Sequence, residues 1–394
     1  MVIVFQNLFG HGYEGGANWL EVSLYSLGLL PQPPHCIVLG ATRDVLPLSI
    51  REASHIEAIP LDVASQSGTT RVLDSITRRI TRQPWESQAV KKIAAQYKVD
   101  LWVGFSGFEG LGPQRLLLVW YPDFQFRHLP EVFSEQEILD RSRQWKYVAQ
   151  RADGILTISQ AVANDALESD PQVEEKLFVC GFPPVFPRSI LGASPDETRK
   201  KYDLPAQFFL VCNQFFKHKN HLTVLEALRQ LRDEGHSVPV VAFTGRPHDY
   251  RNVDAFSDLL QFVHVNRLHQ YCRFLGVLPR EEQIALIRAS QAVIHPSKFE
   301  GRGAIVEEAF VLGTQVICSD LPVHRELRAP GTLFFPVGDV AEVTRLMKGD
   351  YKPSAKTVDE IANESKRWAT AYGEELMNVC SGLVNGQKRR SAAV

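Results

Sequence analysis

Two doubly wound α/β units in one chain are what this sequence predicts, on three observations. Short runs rich in β-branched and aromatic residues alternate with longer amphipathic ones along all 394 residues, the pattern of parallel strands covered by helices. The length exceeds what a single hydrophobic core comfortably serves. The alternation is interrupted by "GFPPVFPRSILGASPD", whose prolines remove backbone donors and break both helix and strand periods. That places a hinge at Pro183 to Pro195, with a first domain over 1–185 and a second over 186–357.

The strand candidates follow in order. In the first half they are "VIVFQN", "HCIVLG", "DLWVGFSG", "RLLLVWY", "GILTIS" and "KLFVCGF". In the second they are "FFLVCNQ", "VPVVAFTG", "CRFLGVL", "AVIHPS", "QVICSD" and "TLFFPV". Each is followed by a helical pattern or a turn. A last helical stretch, about 358–384, has no strand after it, and the polar tail "NGQKRRSAAV" is expected to fray. Ligands of such sheets bind in the crevice at the carboxyl ends of the strands, so two units facing each other predict one central cleft.

Composition narrows the function. With 44% hydrophobic, 10% aromatic and 22% charged residues the chain is globular. A net charge of −2 argues against nucleic acid as a partner. The six cysteines are scattered without close pairs, which predicts reduced thiols and no metal cluster. "MVIVFQN" lacks the basic start and apolar core of a signal peptide, and no stretch reaches bilayer length. A cytoplasmic location is expected. The basic stretch from Arg71 to Lys92, with Arg78, Arg79, Arg82, Lys91 and Lys92, suits peripheral contact with anionic lipid at the inner face of a membrane if the acceptor is lipid-linked.

Chemistry concentrates in "AVIHPSKFEGRGAIVEEAFVLGTQVICSDLPVHREL", residues 292–327, which reads strand, loop, helix, strand, loop. Glu300 stands in the glycine-containing loop and Glu308 on the helix that starts near Gly303. Glycines let a backbone approach a ligand closely, and the free amides of a helix start favour an anion such as a diphosphate. Two carboxylates beside such a site can accept hydrogen bonds from sugar hydroxyls.

This segment resembles the E-x7-E motif of family 4 glycosyltransferases, the retaining "group 1" enzymes of GT-B architecture, with two Rossmann-like domains about a central cleft. The resemblance implies that Glu300 faces the donor sugar, that Glu308 holds the ribose hydroxyls, and that the backbone of Arg302, Gly303 and Ala304 lines the sugar and distal phosphate. Arg302 departs from the aromatic residue usual in the subgroup. In "FLVCNQFFKHKNHLTVLEALRQL", Lys219 matches the family lysine that binds the donor diphosphate. Asn213 stands where many members have arginine, which leaves Lys217 or Arg246 to supply that charge. The loop after "FLG" lies beside the nucleobase in the family, and Leu278 is the backbone candidate there. "FGHGYEGGANWLEVSLYSL" puts Gly15 and Gly16 before an amphipathic helix, beside the donor phosphates. "VWYPDFQFRHLPEVFS" resembles a subgroup stretch in which Asp123 and His128 reach the cleft. With Glu300 and Lys219 these two complete the catalytic candidates. The "SKRWATA" match around Trp368 implies that the C-terminal helix packs back on the first domain.

The implied reaction is metal-independent, retaining transfer of a hexosyl unit from a GDP- or UDP-sugar to a hydroxyl of a saccharide or lipid-linked acceptor, with the nucleotide sugar as substrate and no separate cofactor. The alternatives are a silent nucleotide-sugar-binding or scaffolding protein of the same fold, and a nucleotide-sugar epimerase.

Overall fold

The computed structural model describes residues 1–9, 14–60, 86–108 and 110–392. One compact unit consists of Met1–Asp123, Gln136–Phe182 and Trp368–Val394, the other of Phe124–Glu135 and Pro183–Arg367.

In the first unit seven strands form one parallel sheet: β1 (Val2–Gln6), β2 (His35–Leu39), β3 (Ile56–Ile59), β4 (Leu101–Phe105), β5 (Leu117–Tyr121), β6 (Gly154–Thr157) and β7 (Leu177–Val179). Their order is β3-β2-β1-β4-β5-β6-β7, parallel throughout. The central strands read as unbroken apolar runs because helices cover both faces. Trp19 of the helix Glu14–Gly28 lies flat on Trp120 of β5, ring centroids 4.5 Å apart. Every strand run named from sequence forms a strand, and β3 is an addition. It is a four-residue segment that, among the described strands, pairs with β2 alone, and Glu57 interrupts its apolar character.

Gly15 and Gly16 lie in the first turn of the helix Glu14–Gly28, not ahead of it. Glu14 in that turn favours the positive end of the helix dipole, and a helix end tolerates glycine better than its middle does. The C-terminal helix, Val358–Ala392, also runs past the expected end, since its polar tail is rich in good helix formers. Ile361, Ser365, Ala369, Tyr372, Leu376, Cys380 and Val384 form its buried stripe, at the three-to-four spacing of one helix face. From Trp368 onward the helix belongs to the first unit, where Tyr372 Oη and Ser23 Oγ are 2.9 Å apart. Of the basic stretch, Arg71, Arg78, Arg79 and Arg82 lie outside the described residues, while Lys91 and Lys92 are exposed on the helix Gln88–Tyr97.

The second unit holds β8 (Phe208–Cys212), β9 (Val240–Thr244), β10 (Cys272–Gly276), β11 (Ala292–His295), β12 (Gln315–Ser319) and β13 (Leu333–Phe335). They form a parallel sheet in the order β10-β9-β8-β11-β12-β13. Phe209, Val211, Phe215, Leu228 and Phe243 anchor its core. Phe124–Glu135, assigned from sequence to the first domain, groups here. Arg251 explains the grouping: its guanidinium lies 4.6 Å from the Phe133 ring centroid and donates to Gln125 Oε1 at 3.0 Å, a cation–π contact plus a hydrogen bond. All six cysteines are free and buried.

Packing of the C-terminal helix on the first unit makes a specific prediction. A Cβ at Gly373 would stand 2.4 Å from the Ser26 carbonyl oxygen, whereas one at Gly382 meets nothing within 4 Å. Gly373→Ala is expected to destabilise by about 1–3 kcal/mol, and Gly382→Ala to be neutral or to stabilise by up to about 1 kcal/mol. Denaturant midpoints of the two variants, measured together, check this. Equal midpoints would remove the close helix contact.

Candidate active site

The order of the second sheet reverses between β8 and β11, which are neighbours paired Ala292↔Phe209 and Val293↔Leu210. At such a switch point the two connections leave in opposite directions and open a crevice at the carboxyl edge. The residues after β8 include Asn213 and a short turn Lys217–Lys219, then Asn220 in the left-handed region (φ 57) and the helix His221–Asp233. The residues after β11 include Glu300 and lead through Gly303 (φ 83) into the helix Ala304–Val311. Lys298 N donates to His218 O at 2.8 Å and ties the two loops together.

Four side chains, three from these loops and His295 from the end of β11, form one chain of contacts. Lys219 Nζ donates to Glu300 Oε1 at 2.7 Å, and His295 Nε2 lies 3.0 Å from the same oxygen. Asn213 Nδ2 lies 3.2 Å from His295 Nδ1. Glu300 is 11% exposed and Lys219 17%. Burial pushes the Glu300 carboxyl up, but the Lys219 charge and His295 outweigh it and hold it well below the usual carboxylate range.

The helix start beside this chain has its own geometry. Gly303 takes a conformation that L side chains rarely adopt, and a Cβ there would stand 2.7 Å from the ring of His324. His324 Nδ1 donates to Ser319 O at 2.7 Å, which leaves Nε2 as a buried acceptor without a partner. On the helix, Glu307 is buried against Arg302 at 2.6 Å. Burial raises the Glu307 carboxyl while Arg302 opposes the rise. Glu308 accepts two bonds from the Arg280 guanidinium, at 3.0 and 2.7 Å, the fork-to-carboxylate geometry that gives the strongest ion pairs.

The structure thus brings Asn213, Lys219, Glu300, Gly303 and Ala304 together at the switch point, with Arg302 and Glu308 on the same loop and helix. Lys217 and Arg246 have exposed side chains. Lys217 enters the local structure through its backbone N–H, which donates to buried Asp249 at 3.0 Å. Leu278 is half-buried two residues after Gly276, which closes β10. His128 is exposed, with its ring 5.1 Å from that of Phe299, next to Glu300. Asp123 is the last residue of its segment in the first unit, which also contains Gly15 and Gly16. Sequence reasoning missed His295, Arg280, Glu307 and His324. His295 at the end of a strand run was the readable signal; Glu307 pairs locally with Arg302, five residues before it, and Arg280 and His324 needed the tertiary packing. Among the described residues no group of three or more His, Cys, Asp or Glu is placed to hold a metal ion.

Three buried histidines around the site predict a pH dependence. Burial, with Lys219 adding to it at the first two, lowers His218 and His221 to about 3 and His324 to about 4. In an unfolded chain they titrate near about 6.5, so the unfolded state takes up protons that the native state refuses. Their stabilisation is complete above that pH and is lost as pH falls toward the folded values, by up to about 1.4 kcal/mol per pH unit for each. Urea midpoints are expected to drop steeply between pH 6 and pH 4, and the slope to flatten in His221→Asn. Coincident midpoints at pH 7 and pH 5 would contradict it.

With this geometry in hand, the similarities to known proteins are informative. Residues 195–359 match the family model of glycosyl transferases group 1, a span that contains Asn213, Lys219, Glu300 and Glu308. No curated protein matches the chain in sequence. Among solved structures it is similar to sucrose-phosphate synthase from Thermosynechococcus elongatus, at 16% identity over 100% of both chains with a TM-score of 0.64. Anabaena Alr3699/HepE, determined in complex with UDP and glucose, is similar at 17% identity over 99% of both chains, TM-score 0.61. WaaG, a glycosyltransferase involved in lipopolysaccharide biosynthesis, is similar at 14% identity over 98% of this chain and 99% of its own, TM-score 0.58. Identities this low establish the fold, two Rossmann-like parallel-sheet domains, and leave function to the site. Over residues 195–359 of its second unit, the chain is similar to the group 1 glycosyl transferases.

Proposed function

We propose that the chain is a retaining hexosyltransferase of the family 4 kind, moving a sugar from a GDP- or UDP-sugar to a hydroxyl of a saccharide or lipid-linked acceptor without a bound metal. The observation that carries this reading is the ion pair of Lys219 and Glu300 beside the glycine-capped start of the helix Ala304–Val311. A departing nucleoside diphosphate develops negative charge, and a fixed cation together with the unpaired amides of a helix start can stabilise it. Lys219 is that cation, and the backbone of Gly303 and Ala304 supplies the amides. Glu300, ionised and neutralised by Lys219, accepts hydrogen bonds from the sugar, while Glu308 takes the ribose hydroxyls. Same-face attack then gives retention with no covalent nucleophile. The Alr3699/HepE structures determined with UDP and with UDP-glucose support a nucleoside diphosphate sugar as donor. Among the described residues no helix is long and apolar enough to cross a membrane, so a lipid-linked acceptor would be met peripherally, from the cytoplasmic side in this reading.

Two outcomes follow. Lys219→Ala lowers transfer on the order of a hundredfold, and the wild type works equally in EDTA and in magnesium, because the fixed cation does the neutralising. Initial rates with UDP-glucose and GDP-mannose check both arms. Near-normal activity of Lys219→Ala would remove the phosphate assignment, and transfer abolished by EDTA and restored by magnesium would remove the metal-free scheme.

Glu308→Ala, in contrast, is expected to raise the donor KM about tenfold or more with a smaller change in kcat, since a ribose contact acts alike on ground and transition states. An unchanged donor KM would take Glu308 out of the ribose site.

A further inference from the structure

Asn213 follows β8 and His295 ends β11, and these strands are neighbours in the sheet. Both side chains are buried, with Asn213 Nδ2 3.2 Å from His295 Nδ1. An amide nitrogen only donates, so Nδ1 accepts and the ring proton sits on Nε2. Nε2 is 3.0 Å from Glu300 Oε1, the oxygen that also takes Lys219 Nζ. Two donors therefore converge on Oε1, and Oε2 takes no hydrogen bond from a described residue. We propose that Asn213 and His295 are positioning residues: Asn213 holds His295 as the Nε2–H tautomer, and His295, with Lys219, turns the Glu300 carboxylate so that Oε2 faces the donor sugar.

The inference rests on the glycosyltransferase reading and states how its central carboxylate is oriented. It also gives position 213 a use other than phosphate binding. The Asn213 amide is committed to His295, and its backbone carbonyl takes the His221 ring. An arginine there would bring a second cation into a pocket that already holds Lys219.

The charged and titratable groups facing His295 are Glu300 and Lys219 from the two loops, His324 with its ring 5.1 Å away, and His221. Ser297 Oγ lies 3.5 Å from Nε2. A carboxylate at 213 inverts the relay. In Asn213→Asp, the protonated ring donates on both sides. As pH rises the remaining proton stays on Nδ1 toward the new carboxylate, and the bare Nε2 then opposes Glu300 Oε1.

The test uses the full chain with UDP-glucose and GDP-mannose as donors, together with imidazole nitrogen shifts in histidine-labelled protein. The expected wild-type tautomer at His295 is Nε2–H. His295→Leu is expected to lower kcat on the order of a hundredfold, the effect of a misplaced reacting group, with donor KM nearly unchanged. His295→Gln, whose side-chain amide can replace the Nε2–H, is expected to recover roughly tenfold of that loss, within the same estimate. Asn213→Asp gains an alkaline fall in kcat that the wild type lacks. An Nδ1–H tautomer in the wild type, or wild-type kcat in His295→Leu, overturns the proposal. If His295→Leu does not fold, the absence of an alkaline fall in Asn213→Asp overturns it instead. A wild type that binds neither donor refutes the glycosyltransferase reading, and the tautomer then decides the orientation alone.

Discussion

The buried ion pair of Lys219 and Glu300 is the contact on which the rest of the candidate site depends. A carboxylate taken out of water is costly unless a cation and further hydrogen bonds satisfy it. Here Lys219 supplies the charge and His295 the second contact, both on Oε1. Removing either would leave a buried charge under-compensated, so the loops after β8 and β11 are held as one piece. The 2.8 Å bond from Lys298 N to His218 O joins the same two loops through their backbones.

Sheet topology makes that pairing available. Lys219 and Glu300 are 81 residues apart in sequence, yet each follows one of two adjacent strands at the point where the strand order reverses. The core beneath them, built on Phe209, Val211 and Ile294, fixes where those strands end. The loops inherit their starting positions from a rigid sheet, which is how connecting segments come to hold chemistry at defined distances.

A second constraint acts at the start of the helix Ala304–Val311. The backbone of Gly303 is in the left-handed region and His324 packs where a Cβ would be. The helix end can present its amides only because no side chain intervenes. Glu307 and Glu308, adjacent on this helix, are both held by arginines: Arg302 reaches Glu307 from the preceding loop, and Arg280 reaches Glu308 from the helix Arg280–Ala289. Arg302, at a position where an aromatic residue was the familiar choice, thus compensates a buried carboxylate of its own neighbourhood.

Local sequence determined much of this. The apolar runs gave the strands because a strand buried on both faces must be apolar along its length, and β3 escaped because an edge segment such as Ile56–Ile59 need not be. Glu300, Glu308, Gly303 and Lys219 were singled out because two short segments resemble a family's motifs, and the structure brings Lys219 and Glu300 into contact. What only the tertiary structure decided is which of these residues touch. Asn213 reads alone as a missing cation, and becomes the partner of His295 only when β8 and β11 are placed side by side. Arg280, to which the sequence drew no attention, meets Glu308 from another helix, and His128 groups with Phe299 rather than with the first unit. These pairings follow from strand order and helix packing, and periodicity reports burial without specifying the neighbour.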